Sequence, residues 1–266
     1  MNPGRVFAIM LRVYYLMRGS FTRVFPLFAW AAIDIVLWGF ITRYLTSMTG
    51  SFNIVATMLG AVLLWDFCTR SMFGVSTSFF EDVWSRNFLN LFSTPLTVAE
   101  YLTGLVMTSI ASSGFGLAVM VALATVAFHL SLFAYGIWLV PFVLVLFVFG
   151  IALGIFAIAI VLRFGPSAEW FIWPMPAVLA PLAAVFYPVS VLPLPMQYVA
   201  HLMPASYVFE GMRAILSNHE IPAGTLMLGS VLDVLYVLLA CWFFQAMYKR
   251  AVRTGLIARY SAESMT

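Results

Sequence analysis

Between Val24 and Tyr248 the sequence is divided into six long apolar runs, at about 24–45, 54–75, 98–128, 136–162, 171–187 and 226–248, separated by short polar stretches. About 20 apolar residues is the length an α-helix needs to cross a hydrocarbon core of about 30 Å. Lipid offers no water to backbone N–H and C=O groups, so such a run must close its own hydrogen bonds as a helix, and no alternation long enough for a barrel strand competes. Hydrophobic residues make up 64% of the chain and charged residues 9%, against about 25% charge in soluble domains. Six spans and their connectors consume most of the 266 residues and leave no room for a sizeable soluble catalytic domain. The expected fold class is an all-α membrane protein, one transmembrane domain over residues 1–266.

Placement of charge orients it. Arg5, Arg12, Arg18 and Arg23 precede the first run, and Lys249, Arg250, Arg253 and Arg259 follow the last. Basic residues accumulate on the cytoplasmic side of membrane proteins, so both termini are expected there, which requires an even number of spans. Arg86 and Arg163 then also fall in cytoplasmic connections, and Arg43 and Arg213 fall outside. The expected location is the inner (plasma) membrane, multi-pass. No small-residue cleavage site follows the N-terminal arginines, so this segment does not read as a removed signal peptide. Residues 4–18 are too short to span and are interrupted by Arg12. They read as an interfacial amphipathic helix, arginines toward headgroups and Phe7, Met10, Leu11 and Tyr14 toward lipid or protein; a charged extension of the first span is the alternative.

Two further segments depart from the span pattern. The stretch at 188–220 is too long for a turn and too apolar for an exposed loop, and reads as short helices re-entering the outer leaflet under protein cover. Within it Glu210 and Arg213 stand three apart, a spacing suited to an intrahelical ion pair. The block FFEDVWSRNFLNLFSTPLT, Phe79 to Thr97, sets two acids, an arginine, two asparagines and a proline between apolar runs. As a helix over 79–93 it is amphipathic, with Phe80, Trp84, Phe88, Leu91 and Phe92 on one stripe and Glu81, Asp82, Ser85, Arg86 and Asn90 on much of the rest. From these residues alone, a face for a soluble partner and a helix packed beneath the bundle are both open.

Several chemistries are excluded or weakened. Lys249, in QAMYKRAV, is the single lysine, and no glycine-rich loop precedes it; a phosphate-binding loop of the Walker A kind needs both. Any nucleotide hydrolysis must therefore come from another chain, which would then bind the ATP and Mg, and no cofactor is expected on this one. Cys68 and Cys241 sit singly in apolar runs and read as small core residues, so no metal site or disulfide is indicated. His129, His201 and His219 carry no HExxH, serine elbow or paired carboxylates, which leaves an intramembrane enzyme as the least supported class. Acids inside spans are costly and are functional candidates by default. Asp66 has Arg70 one turn on and reads as a structural pair, whereas Asp34 and Asp233 have no local partner. A proton-coupled carrier using Asp34 and Asp233 is therefore the runner-up among transport mechanisms.

FFEDVWSRNFLNLFSTPLTVAEYLTG resembles the cytoplasmic segment of ABC type-2 exporter permeases, in which an acid and an aromatic lead into a TPL turn and a Glu-containing span start. YPVSVLPLPMQYVAHLMPASYVFEGMRAIL resembles the same family's region before the last span, and the order of segments matches over nearly the whole chain. The resemblance implies a permease subunit of an ATP-driven exporter that pairs with a second copy of itself and with two copies of a cytosolic ATPase. It contacts membrane lipids and has no nucleic-acid partner. It further implies that 79–93 is a coupling helix, with Glu81, Asp82, Arg86 and Asn90 facing the ATPase and Trp84 and Phe88 anchoring it. Pro188, Pro193, Pro204, Tyr207, Glu210 and Arg213 would then belong to an outer gate.

Overall fold

The computed structural model describes residues 1–49, 53–85, 87, 90–91, 93–128, 132–217 and 223–255. Their regular structure is helical throughout: α1 (Pro3–Arg18), α2 (Phe21–Thr49), α3 (Asn53–Trp84), α4 (Val98–Phe128), α5 (Leu139–Phe164), α6 (Met175–Leu182), α7 (Leu194–Leu202), α8 (Pro204–Leu216) and α9 (Ala223–Arg253), with short 3-10 turns between some of them. Four stretches are long and apolar enough to cross a membrane, Thr57–Trp84, Val98–Phe128, Tyr135–Phe164 and Gly224–Arg253, which marks a multi-pass membrane protein. α2 adds 29 residues of helix, about 43 Å at 1.5 Å per residue.

α5 is the axis of the bundle, packed between α3 and α9, and its Tyr135–Phe164 stretch has the highest mean hydropathy, 3.1. Close approach to α3 is made possible by Gly150 and Gly154. A Cβ on Gly150 would stand 2.5 Å from the Cys68 carbonyl oxygen, and one on Gly154 would stand 2.7 Å from that of Met72. This GxxxG pair, common at helix contacts in membranes, is thus used within one chain. α2 and α4 pack on the other flanks of α3, and α8 packs on α9 and α5.

Three expectations from the sequence are corrected here. The second run does not end at Val75: α3 continues to Trp84, because residues 76–84 contain no glycine or proline. The Ser76, Thr77 and Ser78 hydroxyls donate to the carbonyls of Met72, Phe73 and Gly74, satisfying themselves inside the helix. Hence 79–93 is not one separate helix; its first six residues are the end of α3, the helix gives way to a turn at Ser85, Asn90 and Leu91 are helical again, and Arg86, Phe88 and Phe92 lie outside the described residues. The fifth run, 171–187, is not one continuous helix either. A 3-10 turn, Pro166–Phe171, leads to α6, which is eight residues long with Pro181 inside it, and the chain leaves α6 through Ala184 in the left-handed region at φ 51°. Proline lacks the N–H and clashes with the preceding turn, so this density of prolines fragments the helix.

The broken segment nonetheless follows α3 lengthwise. Glu169 meets Trp84, and Trp173 stacks on Phe73, eleven residues, about 16 Å, further along α3. Phe186 stacks on Trp38 of α2 and Phe209 of α8 lies against Trp65 of α3, so α8 sits toward the far end of the bundle from α1.

Candidate functional site

At the end of the molecule that carries the N-terminal arginines, four segments meet through buried polar groups. α1 starts with Asn2 as its N-cap, whose side chain accepts from the Gly4 N–H at 3.0 Å, and with Pro3 at the first helical position. Ile9 and Val13 form its buried face. Ile9 seats on α4 at Gly104, where a Cβ would come within 2.7 Å of it. A side chain there would push Ile9, and α1 with it, outward unless Ile9 were itself made smaller.

Two carboxylates fasten this contact. Thr97 and Glu100 make a capping box at the start of α4: the Glu100 N–H donates to Thr97 Oγ1 at 3.3 Å, and the Thr97 N–H donates to Glu100 Oε2 at 3.0 Å. Glu100 also accepts from the Asn2 N–H at 2.7 Å and from Arg5 Nη1 at 3.3 Å, and it is 2% exposed. Asp82, one turn from the end of α3, is 1% exposed. It accepts from Arg12 Nη2 of α1 and from the Tyr101 hydroxyl of α4, the latter at 2.6 Å. One buried carboxylate therefore ties α1, α3 and α4 together. Arg12 Nε and Nη1 are buried without a partner among the described residues, and among these residues its ion pair is with Asp82.

A third acid attaches the segment after α5. Glu169 accepts from Trp84 Nε1 at 2.9 Å and from Trp173 Nε1 at 3.0 Å. The two indoles clasp one carboxylate between the end of α3 and the approach to α6.

The structure places the sequence candidates unevenly around this junction. Asp82 is turned inward and is not on a solvent face, because Arg12 and Tyr101 claim its oxygens. Glu81 is half-buried beside it, Trp84 is 39% exposed, and Asn90 is exposed, its Nδ2 donating to Asn87 Oδ1 at 3.3 Å. Arg5 and Arg12, expected to face headgroups, reach protein carboxylates; of the apolar side named for α1, Phe7, Leu11 and Tyr14 are exposed. Arg12, Tyr101, Asn2 and Glu169 carry the junction and were not legible as partners, being remote from Asp82, Glu100 and Trp84 in sequence.

The outer candidates form a separate cluster. Glu210 and Arg213 pair at 3.2 Å on α8. Arg213 also donates to the carbonyls of Ala184 at 3.0 Å and Val185 at 3.3 Å, and Glu210 accepts from the Val189 N–H at 2.7 Å. Burial lowers the Arg213 pKa from the usual arginine range, and the Glu210 charge opposes that shift. Tyr207 donates to the His201 carbonyl at 2.8 Å, and Pro188, Pro193 and Pro204 stand at helix starts. This is a staple that holds the chain around the left-handed Ala184 against α8.

Among the acids expected inside spans, Asp66 and Arg70 pair at 2.9 Å, and the Arg70 stem lies 3.3 Å from the position of a Cβ on Gly116 of α4. Asp34 is half-buried on α2. Asp233 on α9 is 3% exposed and its Oδ1 has no partner among the described residues. Among the described residues no group of three or more His, Cys, Asp or Glu is arranged to hold a metal. No protein-family model matches the sequence, and no curated protein matches it significantly.

Proposed function

We propose that the chain is the membrane permease subunit of an ATP-driven exporter of the ABC type-2 kind. It works with a second copy of itself, and a separate cytosolic ATPase supplies the hydrolysis. Six crossings of the membrane are assigned, the fifth by the broken segment from Pro166 to Tyr187, with both termini in the cytosol. The observation that carries this reading is the junction of α1, the end of α3, the start of α4 and Glu169. A surface helix, two long apolar helices and a third segment are joined by buried charge at one end of the bundle. Such a joint passes a displacement from the membrane surface into α3 and α4.

In this arrangement Asp82 is the joint's internal lock, and the surface open to an ATPase includes Glu81, Trp84 and Asn90 at its rim. The cargo is of the amphipathic or lipid-linked class. The test is purification of the tagged chain with its ATPase and measurement of vanadate-sensitive hydrolysis. Glu81→Lys should reduce co-purification several-fold while the chain remains inserted. A chain that exports in proteoliposomes with no second protein would overturn the proposal.

Asp233 favours a second reading. A buried carboxylate with an unpartnered oxygen is the group a proton carrier needs. Export that stops on collapse of the proton gradient and persists on ATP depletion would select that mechanism.

A further inference from the structure

A half-open cavity of 610 Å³ lies between the start of α4, the middle of α5 and the end of α9, within the about 300–1,000 Å³ typical of ligand sites. Its walls are two antiparallel helical stripes. Leu102 and Val106 of α4 and Cys241 of α9 line its inner part, with Ile155 of α5 behind them. Gln245, Tyr248 and Lys249 line its other end. That end is level with the first turn of α4 and the last turns of α9, where the long helices leave the apolar zone. The cavity is therefore amphipathic along the membrane normal: aliphatic inside, with hydroxyl, amide and ammonium groups at the surface.

The charge at the surface end has one sign. Lys249 is exposed and has no ion-pair partner among the described residues; Arg250 and Arg253 follow in the last turn of α9. No acid is among the described lining residues, and the nearest on α4, Glu100, is buried beneath α1 and bound to Asn2, Arg5 and Thr97. A lysine at a helix end extends its stem along apolar surface and holds its ammonium at headgroup level, and basic pockets between membrane helices take anionic headgroups.

We infer that this groove binds an anionic phospholipid of the adjoining leaflet, its phosphate on Lys249 and Gln245 and the upper part of an acyl chain against Leu102, Val106, Ile155 and Cys241. The site needs neither the ATPase nor the cargo.

The test uses the delipidated full-length chain in detergent, titrated with phosphatidylglycerol or phosphatidylcholine of identical chains, with bound lipid counted by native mass spectrometry. Phosphatidylglycerol should be preferred about fivefold, the ratio one juxtamembrane basic residue supplies. Lys249→Gln should abolish the preference and Lys249→Arg should keep it. Val106→Trp, which fills the inner groove, should lower retention of both lipids. Soluble glycerol phosphate should not displace the lipid, since it lacks the chain. Equal retention of the two lipids would overturn the inference. So would a preference that survives Lys249→Gln, or one lost in Arg250→Gln/Arg253→Gln while Lys249→Gln retains it, because the headgroup would then lie off the groove. None of these outcomes depends on export, so a failure here leaves the transport reading standing.

Discussion

The lock at Asp82 lends itself to a double-mutant cycle. Asp82→Leu removes the carboxylate that both Arg12 and Tyr101 donate to, leaving a mostly buried guanidinium without that counter-charge and costing the fully buried phenol its bond to Asp82. Breaking one side of a buried ion pair costs about 3–5 kcal/mol. The Arg12 side chain keeps 24% exposure, which places the cost at the lower end, about 3 kcal/mol. Arg12→Met leaves the carboxylate, 1% exposed, with Tyr101 alone, and should cost about as much. The double variant Arg12→Met/Asp82→Leu replaces the pair by apolar groups, a change often close to neutral, and loses only the Tyr101 bond to a charged acceptor, about 1.5–3 kcal/mol.

The two single changes together predict a loss of about 6 kcal/mol, and the double variant at most half of that, so the coupling is about 3 kcal/mol or more. Unfolding of the purified chain in mixed micelles measures it. Additivity of the single changes within about 0.5 kcal/mol would refute the reasoning, because it would mean that Arg12 and Asp82 do not interact.

Other substitutions probe separate contacts. Gly150→Ala drives a methyl into the Cys68 carbonyl and should destabilise by about 1–3 kcal/mol, whereas Gly114→Ala, with no atom within 4 Å of its Cβ, should stabilise by about 0.5–1 kcal/mol; thermal melts of the two should shift in opposite directions. Arg213→Lys should expose the chain near Val185 to protease about as much as Arg213→Met, since one ammonium does not reproduce the fork that reaches Ala184, Val185 and Glu210. A cysteine at Glu81 or Asn90 should react with a membrane-impermeant thiol reagent applied from the cytosol, and a cysteine at Asp82 should not.

Local interactions were legible in the sequence and remote ones were not. Asp66 with Arg70 and Glu210 with Arg213 follow from helical spacing alone, and both pairs form. The apolar runs located α4 almost to the residue, since Thr97 and Glu100 supply a capping box at its start. The end of α3 was misplaced because hydropathy falls after Val75 while helix propensity does not. Polar residues at 76–78 bond to their own helix, and Asp82 is polar for the sake of Arg12, 70 positions away. Prolines break the helix of the fifth run, but the form of the break depends on remote partners that spacing does not show, the Arg213 bond to the Ala184 carbonyl and the Glu169 clasp.

Rigidity of the α1–α4 contact decides whether the junction acts as a lever. Ile9 and Gly104 are in contact through the space a side chain would occupy, and Asn2, Arg5 and Arg12 hold α1 at its start and its middle. Holding energies of about 3 kcal/mol at one of these points are five times the thermal energy, so α1 and the start of α4 should move as one body in any transport cycle. An Ile9→Cys/Gly104→Cys disulfide tests this directly, because the Cβ positions need only a small separation to reach the about 3.5–4.5 Å of a cystine. In the proposed complex with an ATPase, the cross-linked chain should keep the vanadate-sensitive hydrolysis and the export within about twofold of the reduced form, a change of under 0.5 kcal/mol in the barrier. If the cross-link arrests turnover and reduction restores it, α1 slides along α4 during the cycle. The junction would then be a bearing that α1 moves over, and Asp82 would have to release Arg12 at every turnover.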